Sequence, residues 1–67
     1  MKYIVVELQK TSEGVVGNSV FAFDTLAEAE AKYHLVLSYA AVSTLPVHSA
    51  VLVSEEGFPV AYKCYKH

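Results

Sequence analysis

No arginine occurs in this 67-residue chain, while cysteine occurs once, proline twice and glycine three times. Each shortage closes a class of explanation. Without arginine the chain lacks the planar fork that grips a phosphate at two points. Its five lysines are outnumbered by seven acidic residues, and a net charge of −2 leaves no basic stripe for nucleic acid. The single thiol, Cys64, excludes an internal disulfide framework. No apolar run approaches the ~18–20 residues of a membrane span. The opening Met1-Lys2-Tyr3-Ile4 is too short in apolar residues for a signal-peptide core. These absences predict a cytosolic protein with a reduced thiol. No internal repeat or low-complexity segment is visible.

What is present leans apolar. Hydrophobic residues make up 54 % of the chain and charged ones only 18 %, against a usual charged share of about 25 %. A chain of this length forms one domain, 1–67, near the lower limit for folding unaided. Small scaffolds usually add a disulfide, a metal or a second chain. A small domain should also be more polar than average, and this one is less. The expectation is a homo-oligomer, with part of the surface facing another copy.

Lys2 to Lys10 alternates as a strand, with Ile4, Val6 and Leu8 opposed to Tyr3, Val5, Glu7 and Gln9. Thr11-Ser12-Glu13-Gly14 signals a turn. Val15 to Phe23 returns, interrupted by Gly17-Asn18-Ser19, which suggests a bulge or an edge. Asp24 and Thr25 are both good N-caps, and Thr25 with Glu28 fits a capping box. The helix they open runs to about Val42, with Glu28 set four residues before Lys32 for a surface pair. Pro46 cannot continue it. Val47 to Ser54 and Val60 to about Tyr65 make a second hairpin around Glu55-Glu56-Gly57-Phe58-Pro59. Val47–Ser54 is apolar on both faces and belongs inside a sheet.

The expected fold is therefore α+β: ββαββ, two hairpins joined by one helix on one face of a four-stranded antiparallel sheet. Lengths agree, since a helix of about 18 residues spans ~27 Å and a strand of about eight spans ~26 Å. Leu26, Ala29, Tyr33, Val36, Leu37 and Ala40 form the stripe that should cover the sheet. Leu35, Tyr39 and Val42, with Ser38 beside them, point elsewhere and are the expected subunit interface. One helix cannot cover both faces of four strands. Tyr3, Val5, Val51 and Val53 are expected on the bare face.

Three histidines and the cysteine, His34, His48, His67 and Cys64, invite a metal reading. Zinc needs three or four such ligands converging at ~2.0–2.3 Å. Cys64-x-x-His67 in a strand sends its two ends to opposite faces, and His34 and His48 start far apart, so no metal or cofactor is expected. Ser38 lies one turn after His34, within hydrogen-bonding reach, but no third orienting acid shares that face. There is no glycine-flanked serine elbow and no Gly-rich phosphate loop. Tyrosine is abundant, with five residues, and offers a stacking face plus a hydroxyl. Tyr62, Lys63, Tyr65, Lys66 and His67 form an aromatic–basic tail suited to a phosphorylated base. Tyr33, His34 and His48 are the further candidates for a ligand site.

Several segments carry a resemblance: Met1-Lys2-Tyr3-Ile4-Val5, Lys32-Tyr33-His34, Leu45-Pro46-Val47-His48-Ser49-Ala50-Val51-Leu52, Glu55-Glu56-Gly57 and Cys64-Tyr65-Lys66-His67. In these the chain resembles small uncharacterised prophage-encoded proteins of gut-dwelling Firmicutes. That resemblance implies a viral origin and a bacterial host cytosol, and brings no catalytic residue, cofactor or fold. The functional expectation is a phage-encoded, non-enzymatic binding protein acting as a homo-oligomer. Its most concrete form is sequestration of a small anionic host molecule such as a defence signalling nucleotide. The alternatives are a structural or host-protein interaction module without a small ligand, and a small phosphodiesterase using His34 and His48 as acid and base.

Overall fold

The computed structural model describes residues 1–67. Strand β1 (Tyr3–Lys10) pairs with β2 (Val16–Phe23), helix α1 (Leu26–Ala41) follows, and β3 (Val47–Ser54) pairs with β4 (Pro59–Lys66). The sheet is antiparallel in the order β2-β1-β3-β4. The two hairpins therefore meet along β1 and β3, and β3 lies inside the sheet as its two-sided apolarity predicts. The expected ββαββ architecture is present. No helix is long and apolar enough to cross a membrane.

Both hairpin turns use the glycines that the sequence offers. Gly14 and Gly57 take φ of +86° and +84°, a region that costs other residues strain. Gly17-Asn18-Ser19 marks an edge, not a bulge, because the β1–β2 register is continuous through it. The one register shift falls at Leu52/Val53 against β4.

The helix is built as its sequence directs, with two differences in detail. Thr25 is the N-cap, its hydroxyl oxygen accepting from the Glu28 amide at 3.2 Å. The Glu28 carboxylate then accepts from the Thr25 hydroxyl at 2.8 Å, where a capping box would use the Thr25 amide. Lys32 does not pair with Glu28. Its ammonium lies 4.1 Å from the ring centre of Phe21, which exchanges an exposed ion pair for contact with a half-buried aromatic.

Ala29, Tyr33, Val36 and Ala40 are buried and Leu26 and Leu37 partly so, which confirms the sheet-facing stripe. Beneath it lie Val5, Ala50 and Leu52, with Tyr3, Phe21 and Phe23 packed around them. This corrects one expectation. Val5 pairs with Leu52, so alternation puts Tyr3 and Val5 under the helix and Val51 and Val53 on the opposite face. The bare face is carried by Ile4, Val6, Val51 and Val53 instead. It is apolar all the same.

Candidate functional site

The covered face is polar at one end. Alternation along β1 and β3 brings Glu7, Gln9 and His48 together on the helix side, with Tyr65 opposite His48 on β4. His48 Nε2 donates to Glu7 Oε2 at 2.6 Å, and Gln9 Nε2 donates to the same oxygen at 3.1 Å. A carboxylate only accepts, so the hydrogen on His48 Nε2 is fixed by its partner. His48 is 4 % exposed, and its Nδ1 is buried without any hydrogen-bond partner. The His48 and Glu7 side chains are 5 % and 15 % exposed, so the pair is shielded from competition with water.

Next to this cluster the chain end folds back onto the helix. Tyr65 and His67 stack with ring centres 6.2 Å apart and planes within 4° of parallel. The Lys63 ammonium lies 5.4 Å from the Tyr65 ring centre. His67 Nε2 donates to the Ala40 carbonyl at 2.9 Å, and its backbone amide donates to Pro46 at 2.9 Å. The last helical turn holds no basic residue. His67 supplies from outside the donor that a free helix carboxyl end attracts. Tyr33 belongs to the same end: burial, then the charge of Tyr65, push its phenol above the usual value.

Period two divides the aromatic–basic tail. Lys63 and Tyr65 share the helix side, while Tyr62, Cys64 and Lys66 fall on the bare face. The five tail residues therefore do not make one surface. His34 is exposed on the helix, its ring in a T-shaped contact with Tyr33 at 5.4 Å between centres, and its imidazole makes no hydrogen bond within the chain. His48 is buried under that helix, so the two histidines do not face a common substrate. Ser38 does not meet His34 either; its hydroxyl donates to the Leu35 carbonyl at 2.6 Å. No three His, Cys, Asp or Glu side chains are grouped to hold a metal ion, and the surface has no pocket.

The expected interface residues are where periodicity puts them. Leu35, Ser38, Tyr39 and Val42 are all exposed, Val42 to 79 %. The bare sheet face is a broader apolar surface, and Lys10 and Lys66, at one end, are its only charged strand residues. Glu7 and Gln9 were not foreseen as partners of His48. Their one signal was two polar residues sharing a strand face with Val5. No family model, curated protein or solved structure matches the chain.

Proposed function

We propose that this chain is a non-enzymatic binding module that works as a homo-oligomer, with the bare sheet face covered by another copy. One observation carries the reading. A face of four eight-residue strands is left with two charged residues, both lysines at its end. Strands about 4.8 Å apart, rising about 3.3 Å per residue, give that face roughly 500 Å². Two such faces in contact bury about 1,000 Å², the size at which specific interfaces begin. The molecule's own core is slight: 10 of 67 residues are buried, and only Leu52 and Val5 are large and fully enclosed. A second chain is the natural supplement, since Cys64 has no disulfide partner and no metal-ligand group exists.

Sedimentation at micromolar concentration tests this. The expected species is heavier than the 7.3 kDa chain, and Val6→Lys with Val51→Lys, neighbours across β1 and β3, lowers its mass. A wild-type monomer overturns the reading.

A second reading concerns what the oligomer holds. In a phage-encoded protein, a small anionic host molecule such as a defence signalling nucleotide suits the Lys63–Tyr65–His67 group, which joins a cation to two stacked rings. Mass spectrometry of denatured protein tests it: a co-purified nucleotide supports capture. A host protein recovered without any nucleotide supports the interaction module. The phosphodiesterase reading has less support, because His48 is enclosed with Glu7 and His34 lies at the surface.

A further inference from the structure

The two edges of the sheet differ in how they are protected. An exposed edge strand offers unpaired backbone groups to any other strand, and proteins guard edges with proline, lysine, bulges or short strands. Edge β4 has Pro59 at its start, a register shift near Val53, and Lys63 and Lys66 along it. Edge β2 has none of these. Val16-Gly17-Asn18-Ser19-Val20-Phe21-Ala22-Phe23 contains no charge and no proline, runs the full eight residues, and pairs with β1 without a shift. Its first five residues are all exposed.

We infer that β2 is a strand-addition site whose occupant is β2 of a second copy, joining two sheets into one of eight strands. The inference rests on the edge and stands apart from the use of the bare face proposed above. A two-fold axis through a continuous sheet keeps each face on its own side, so it must pass through a residue position. With the axis at Ser19, Gly17 lies opposite Phe21 of the partner subunit. With the axis at Val20, Gly17 lies opposite the partner's Phe23. Gly17 has open space where a side chain would stand, with nothing within 4 Å. An aromatic across from a strand glycine fills such a gap. The strand is thus complementary to itself in either register. No like charges meet within the pairing, and Asp24 beside its end is already held by Lys2 at 2.8 Å.

The edge axis is perpendicular to the sheet, and an axis that stacks two bare faces lies between the sheets. Where these two axes intersect, the two contacts used together close as a tetramer with three mutually perpendicular two-folds.

Cysteine cross-linking combined with sedimentation tests the edge. In a Cys64→Ala background, Ser19→Cys and Val20→Cys are compared with Lys63→Cys on the opposite edge, and the mass of the Val6→Lys variant is measured beside them. A residue on the two-fold faces its own copy at a Cα separation of about 4.5–5.5 Å, within disulfide range. The expected result is rapid oxidation to a covalent dimer at position 19 or 20 and not at 63. Amides of β2 directed away from β1 should also exchange more slowly in the oligomer than in diluted protein. An oligomer that loses mass in Val6→Lys and cross-links at neither 19 nor 20 overturns the edge inference and leaves the face reading standing. A species that cross-links at 19 or 20 and keeps its full mass in Val6→Lys supports the edge and overturns the face. A wild-type monomer overturns both.

Discussion

Leu52 and Val51 are neighbours on β3, yet they serve the molecule in opposite ways. Leu52 is enclosed under the helix with Val5 and Ala50, while Val51 lies beside Val6 on the face that nothing covers. Both faces are apolar along their middle. They differ in what surrounds the apolar part: the covered face ends in Glu7, Gln9 and His48, and the bare face ends in Lys10 and Lys66. The lesson is that burial within a chain this small is decided by the single helix. Hydrophobicity alone did not choose the side.

The sharpest way to break the comparison is to shorten both side chains in turn. Leu52→Ala removes one of two large, fully buried groups and should cost about 2–5 kcal/mol. Val51→Ala should cost clearly less in the dissociated chain, and should act instead on association. Urea unfolding at two protein concentrations separates these effects. Equal losses for both variants at high dilution would mean that the bare face is buried within the monomer.

The polar corner offers a smaller perturbation. His48→Ala takes a donor from Glu7 and should lower stability by about 1–3 kcal/mol. The Glu7 side chain keeps 15 % of its exposure and some access to water, which holds the loss to that range. Replacing both residues by leucine should be milder than the sum of the single replacements, because no charge is then left alone. A double-mutant cycle in urea checks the coupling. Strict additivity would show that the 2.6 Å contact contributes nothing to the folded state.

These residues also mark how far the sequence could be read. The helix was legible because its signals are local: a threonine cap, a 3.6-residue stripe and a proline beyond the end. The turns were legible through Gly14 and Gly57. The side of β1 that meets the helix was not, since Ile4, Val6 and Leu8 read as at least as core-like as Tyr3 and Val5. Only the pairing of Val5 with Leu52 decides it, and register between distant strands leaves no local trace. The Glu7–His48 contact spans 41 positions and was invisible for the same reason. The division of the tail was within reach, because period two already separates Tyr62, Cys64 and Lys66 from Lys63 and Tyr65.

The smallest expected effect sits on the covered face and is read through pH. Tyr33 is 6 % exposed, and burial followed by the charge of Tyr65 raises its phenol above the ordinary value of 10.0. The folded chain therefore holds this proton more tightly than the unfolded chain does. The associated stability is complete below pH 10.0 and is lost as pH rises from there through the folded-state value. Tyr33→Phe keeps the ring in the core and removes the ionisation. Urea midpoints at about pH 9 and about pH 11 should fall less in this variant than in the parent chain. Parallel declines would show that the Tyr33 hydroxyl reaches water as freely in the folded chain as in the unfolded one, and that the covered face is looser than the packing of Ala29, Val36 and Leu52 around it implies.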